Sequence, residues 1–230
     1  MDIEDWGLIP YQEALTRQLE KVENVAAGGS DTLIFCSHPP VVTLGRGTQP
    51  GDVQSWTGEK IEISRGGRAT YHGPSQIVIY PILNLNIKRK TLPERDLHSY
   101  LRILEDTIVQ TLKEFGLNSE VRSVQSGAEG PSLTGVWVSE PNGTDKKIAS
   151  IGIAVKKWVT YHGIALNLKH DPTAFVGIRP CGFSTDVMTS VEEQWRNTEG
   201  VSKGNGFVMP DRKVIQNVFA ELISKAISYQ

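Results

Sequence analysis

The sequence predicts an α+β fold with mixed, largely antiparallel sheets flanked by helices. Three observations predict it. Strand-like runs follow one another as hairpins, not as strands alternating with helices. Two long stretches, near residues 93–115 and 211–228, carry apolar residues at spacings of three and four. The chain has 230 residues, 39% of them hydrophobic, which is enough to build one sizeable core. A single domain over residues 1–230 is therefore expected.

Tyr11 to Val25 reads as a helix, with Ala14, Leu15, Leu19 and Val22 on one side. Thr32 to Cys36 is a short apolar run, expected as a buried strand that His38-Pro39-Pro40 ends. Val41 to Leu44 restarts a strand, and Gly45-Arg46-Gly47 turns it. Lys60 to Ser64 alternates apolar and polar, and Gln76 to Leu85 is rich in Ile and Val; both read as strands. Pro93 to Phe115 is the clearest helix, with Leu97, Tyr100, Leu101, Leu104, Ile108 and Leu112 on one face and Gly116 behind it. Strands follow at Thr134–Ser139, Lys147–Val155 and Trp158–Leu168, with Asn142-Gly143 supplying turn chemistry between the first two. Gly200 to Gly206 reads as a loop, and Asp211 to Ser228 as a closing helix.

Charge and composition exclude several functions. Lys and Arg total 24 against 26 Asp and Glu, a net charge of −2, without the basic surplus that phosphate neutralisation needs. Nucleic acid is not an expected partner. No apolar run approaches the ~20 residues of a membrane helix. The acidic start, Met1-Asp2-Ile3-Glu4-Asp5, lacks a basic segment followed by an apolar one, so a cytoplasmic location is expected. Cys36 and Cys181 are then free thiols. No Cys/His spacing suggests a metal site.

Four segments carry candidate chemistry. Arg65-Gly66-Gly67-Arg68-Ala69-Thr70-Tyr71-His72 runs into Gly73-Pro74. Paired glycines let backbone approach a ligand closely, and the Tyr-His-Gly-Pro continuation favours a pocket loop over a plain turn with solvated arginines. In Lys146-Lys147-Ile148-Ala149-Ser150-Ile151-Gly152, strict strand alternation puts Lys147 with Ala149 and Ile151, and Lys146 with Ser150. Lys147 is thus the candidate for a partly buried amine, whose pKa falls on desolvation. Thr160-Tyr161-His162-Gly163 echoes Thr70-Tyr71-His72-Gly73, so the two segments are candidates to line one cleft from opposite sides. In Arg179-Pro180-Cys181-Gly182, proline and glycine place the cysteine in a loop, where a thiol is available as a nucleophile; Cys36 sits in an apolar run and reads as a small core residue. An ordinary thiol is only a few per cent thiolate at neutral pH. Cys181 needs a partner, and the candidates are Lys147, His72 and His162.

Taken in order, these segments resemble the octanoyltransferase, or lipoyl(octanoyl) transferase, family. The matching stretches are Ser37-His38-Pro39-Pro40, Arg65-Gly66-Gly67 through Pro74, Thr134-Gly135-Val136-Trp137-Val138, Lys147 through Gly152, His162-Gly163 through Asn167, and Pro180-Cys181-Gly182. They span about Leu33 to Val191. The resemblance implies the fold shared with lipoate and biotin protein ligases. It also implies transfer of octanoyl from octanoyl-acyl carrier protein, through a thioester on Cys181 with Lys147 as catalytic partner, to a lysine of lipoyl domains. Those domains belong to 2-oxoacid dehydrogenase complexes and the glycine cleavage H protein. Substrate-binding stretches fall on Arg65 to His72, Ser150-Ile151-Gly152 and Gly163-Ile164-Ala165. No cofactor, ATP or metal is implied beyond the carrier's phosphopantetheine. An ATP-dependent lipoate ligase or an octanoyl amidotransferase of the same fold is the alternative. Apolar side chains near the Gly-Gly loop and Ile148–Ile151 are expected to line the acyl tunnel, amides near Cys181 or in the strand at Lys147 to hold the oxyanion, and Lys88-Arg89-Lys90 to steer an acidic carrier. Ser75 departs from the glycine usual in the family, and the hairpin at 140–145 is longer than usual.

Overall fold

The computed structural model describes residues 1–122, 133–140, 142–199 and 209–228. In chain order the elements are β1 (Asp2–Leu8), α1 (Tyr11–Ala26), β2 (Thr32–Ser37), β3 (Val41–Leu44), β4 (Glu59–Glu62), β5 (Thr70–His72) and β6 (Gln76–Ile82). They continue with α2 (Leu97–Glu114), β7 (Glu120–Val121), β8 (Gly135–Ser139), β9 (Asp145–Lys156), β10 (Val159–Asn167), α3 (Val191–Glu199) and α4 (Arg212–Ala226). Seven strands form one sheet in the order β1-β2-β6-β10-β9-β8-β7; three form a second, β4-β3-β5. Among the named strands of the described residues, β1–β2 and β3–β4 pair in parallel and the other pairs are antiparallel, so the mixed, largely antiparallel class holds.

The central strands are buried on both faces, which is why β2 and β6 read as continuous apolar runs. Leu33, Phe35, Ile77 and Ile79 point to one face and pack with α2 and α4. Ile34, Cys36, Val78 and Tyr80 point to the other and pack with α1. Arg212, at the start of α4, donates to the Ser37 hydroxyl and the Gln76 and Cys36 carbonyls, tying the last helix to the middle of the sheet.

Several boundaries differ from expectation for local reasons. α2 starts at Leu97 rather than Pro93, because Arg95 takes a left-handed φ of +56° and Asp96 caps the helix, accepting from the His98 and Ser99 amides. β1, β5, β7 and α3 lie outside the expected elements. β1 is a mostly exposed, acidic edge strand without apolar alternation. The loop foreseen at 200–206 lies outside the described residues, as does Pro141 of the 140–145 hairpin. Within the basic run, Arg89 is 3% exposed and pairs with Asp31, so only Lys88 and Lys90 face solvent. Arg89 between them donates to the carbonyl of Asn84, which forms a bridge with Val159. That bridge is six strand residues, about 20 Å, from the Ser150–Ala165 pair at Cys181.

Candidate active site

Cys181 lies in a single 3-10 turn, Pro180–Gly182, with φ +54° and ψ +17°. That left-handed geometry is uncommon for a non-glycine residue and is held by its surroundings. The Cys181 amide donates to the Ala69 carbonyl at 2.9 Å, and the Gly182 amide to Arg179 at 3.0 Å. Both amides are therefore committed, which removes these two from the oxyanion donors expected near Cys181 or in the strand at Lys147. Arg68 packs over Gly182, where a side chain would lie 2.6 Å from its guanidinium. Asp52, fully buried, accepts from Arg68 Nε at 3.0 Å, and its carbonyl takes the Arg179 amide at 2.7 Å. The Gly-Gly arginines are thus structural braces, not solvated charges. Arg65 likewise spends its guanidinium on the Thr43, Gly66 and Arg68 carbonyls.

Lys147 is 0% exposed; burial pushes its pKa below the usual lysine value, and its interaction with Cys181 opposes that shift. Its Nζ lies 5.3 Å from the Trp137 ring centre and 5.8 Å from that of Phe183. Strict alternation did not foresee that Ser150 joins it, with Oγ 3.9 Å from Cys181 Sγ. The register explains this. Trp137 pairs Lys147 but Val136 pairs Ala149, so β9 carries one extra residue there. Such a bulge re-aims side chains, and it puts positions 147 and 150 on one side. Lys146 instead reaches the Asp186 carbonyl.

Two residues that sequence reasoning left without a role shape the lysine's niche. Gly135 has φ +132°, and a side chain there would collide with the Ala149 carbonyl and come within 2.9 Å of Lys147 Cε. Glu105, 3% exposed on α2, accepts from the Gly135 amide at 3.2 Å and acts electrostatically on Lys147, raising its pKa against the dominant burial effect. Gly135→Ala is expected to cost more than about 3 kcal/mol of stability, since both the backbone and the buried lysine must move. Chemical denaturation measures it; a loss under about 1 kcal/mol would show that the niche is looser than described.

The cleft beside Cys181 is lined by Arg65, Gly67, Thr70 and His72, by Ser150-Ile151-Gly152, and by Gly163-Ile164-Ala165. The structure thus gathers most of the residues foreseen. Gly66, Arg68, Ala69 and Tyr71 are not among its lining: the Gly66 amide is spent on the Ile153 carbonyl, and Tyr71 packs against Trp56 and Phe175. The two echoed segments do converge, on Tyr11: His72 stacks on its ring at 5.5 Å and His162 Nδ1 lies 3.3 Å from its hydroxyl. Ile148 packs in the core instead of lining a tunnel. Ser75 Oγ bonds Asp171 at 3.2 Å, outside the cleft.

A profile of the lipoyl protein ligase A/B catalytic domain family matches residues 10–203. The chain belongs to that family. An octanoyltransferase of Bdellovibrio bacteriovorus is 52% identical over 196 residues, covering 83% of this chain and 87% of that protein. One from Syntrophotalea carbinolica is 39% identical over 194 residues, covering 84% and 83%. Relatives this similar place the chain among the acyltransferases of the lipoyl protein ligase A/B family. A lipoate-protein ligase A bound with ATP superposes with a TM-score of 0.69 at 16% identity, over 100% of this chain and 88% of that one. A biotin protein ligase from Aquifex aeolicus gives 0.51 at 13% identity, over 98% and 68%. At such identities the likeness establishes the shared fold alone. No described helix is long and apolar enough to cross a membrane.

Proposed function

We propose that this member of the family transfers octanoyl from octanoyl-acyl carrier protein to a lysine of a lipoyl domain, through a thioester on Cys181. The observation that carries this is a fully buried Lys147 whose amine interacts with a cysteine held in a left-handed turn. Desolvation favours the neutral amine, so Lys147 accepts the Cys181 proton. The thiolate attacks the donor's thioester carbonyl, and the resulting Lys147 ammonium faces the developing oxyanion. The carrier's thiol leaves with that proton. The acceptor lysine then attacks the acyl-enzyme, an amide forms, and its surplus proton returns through Lys147 to Cys181. A thioester donor already stores the activation energy, so neither ATP nor a metal takes part. Lipoyl domains of 2-oxoacid dehydrogenases and the glycine cleavage H protein are the proposed acceptors, and the cytoplasm the proposed location.

Transfer from octanoyl-carrier protein to a purified lipoyl domain, run with and without ATP, tests the reading. Equal rates support it. An absolute need for ATP, with lipoate as a better donor, would assign the chain to the ligases.

Glu105 provides a second check. Its charge raises the Lys147 pKa, so Glu105→Gln lets that pKa fall further. A base must be neutral to act, so the acid limb of the acylation rate is expected to move to lower pH. A limb that stays in place would take Glu105 out of the lysine's electrostatics.

A further inference from the structure

The cleft ends on a wall of buried polar rings that the chemistry above does not use. Tyr11 opens α1, His72 closes β5, Tyr80 lies in β6 and His162 in β10; all four line the cleft. They are locked to one another and to the core. Tyr11 holds both histidines as described, and the Tyr80 hydroxyl lies 2.7 Å from His38 Nε2. Burial holds His162 at about 3 and His72 well below its usual value, so the imidazoles are neutral. Two ring nitrogens, His72 Nδ1 and His162 Nε2, are buried with no hydrogen-bond partner among the described residues. His162 is 2% exposed and has φ +57°. That backbone turn takes its ring out of the strand alternation that aims Ile164 toward α2, and carries it to the α1 side. Strain of this kind persists only where the surroundings hold it.

The wall stands at a definite depth. Ser150, in contact with Cys181 Sγ, pairs Ala165, and His162 pairs Ile153 three residues further along the strands. At ~3.3 Å per residue the separation is about 10 Å. An extended eight-carbon acyl chain spans about 9 Å, given ~1.5 Å zigzag bonds. We propose that the wall of Tyr11, His72, Tyr80 and His162 terminates the acyl channel and sets its limit at about eight carbons. A shorter chain leaves methylene burial unused. A longer one presses apolar surface against ring nitrogens that require polar partners, a mismatch far less tolerated than an extra methylene against an apolar wall. The inference rests on the acyl-transfer reading of the cleft.

The test uses the full chain with pantetheine thioesters of six, eight, ten and twelve carbons, scored by the initial rate of acyl-adduct formation. In parallel, the matching free fatty acids are titrated calorimetrically. The wild-type rate is expected to fall at least about tenfold beyond eight carbons. His72→Leu makes the wall apolar. His162→Asn shortens it and keeps a residue type that tolerates positive φ. Each is expected to raise the twelve-to-eight ratio at least about tenfold. An unchanged ratio in both variants, with circular dichroism showing them folded, overturns the wall. The titration does not need transfer. If no donor acylates the protein, the acyl-transfer reading fails; an affinity break past eight carbons that the variants remove still supports the wall, and a smooth trend overturns it.

Discussion

Lys147→Met is expected to slow acylation of Cys181 by roughly 10²- to 10⁴-fold, the usual contribution of a positioned base, while the protein becomes no less stable. Methionine nearly matches the lysine stem in length and fills the space between Trp137 and Phe183 without a group to desolvate. Replacing a buried charged group by a well-packed apolar one is often neutral or stabilising. The pH dependence has a definite sign. The folded-state pKa of Lys147 is lowered, so between that value and the unfolded value near ~10.4 the unfolded chain binds more protons. Wild-type stability therefore rises with pH across that window. The variant lacks the term, so its stability advantage is greatest at neutral pH and shrinks as pH approaches ~10. Denaturation at several pH values, with single-turnover acylation alongside, checks both halves. A near-normal rate would take the base role away from Lys147. A large stability loss would mean that the ammonium, not the stem, holds the niche together.

Cys181→Ser is expected to remove essentially all transfer to the lipoyl domain. A serine hydroxyl in the same turn keeps the small side chain and its contact with Ser150, but its proton is far harder to remove than a thiol's. The fold is expected to survive, because the turn is held by main-chain bonds to Ala69 and Arg179 and by the Asp52–Arg68 pair, none of which involves sulfur. Cys36→Ser is the informative contrast. Cys36 is fully buried in β2 and burial pushes its thiol well up, so it is not a nucleophile. Its replacement puts a hydroxyl into an apolar face, lowering stability and sparing chemistry. Retained transfer in Cys181→Ser, or loss confined to Cys36→Ser, would mean that the acyl group is carried elsewhere.

How far the sequence showed this in advance differs by residue. The class was legible because β2, β6 and β10 are apolar runs and β8, β9 and β10 follow one another as antiparallel neighbours across short turns. The pairing of cysteine with lysine was not legible from spacing alone. Alternation placed Lys147 on the face of Ala149 and Ile151, and only the bulge opposite Trp137 turns it and Ser150 toward the thiol. A one-residue bulge leaves no mark in the hydrophobic pattern. The wall residue Tyr11 was hidden for a similar reason: it is the first residue of a helix whose apolar stripe accounts for it as core. The start of α3 does carry a local signal. Ser190 and Glu193 cap each other reciprocally, Ser190 Oγ accepting the Glu193 amide at 3.2 Å and Glu193 accepting the Ser190 amide at 2.9 Å, the S-x-x-E box that marks a helix start. Glu105 looked like one more charge on an amphipathic helix; its burial follows from α2 packing against β8, which no local pattern encodes.

The central claim is that Cys181 carries the acyl group. Intact mass spectrometry of the full chain mixed with octanoyl-carrier protein, with no ATP and no acceptor, measures this directly, and peptide mapping places the adduct. The predicted result is one octanoyl increment on the peptide holding Cys181, discharged when a lipoyl domain is added, absent in Cys181→Ser and present in Cys36→Ser. No adduct on a folded protein that nonetheless transfers octanoyl, or an adduct on any other residue, would contradict it.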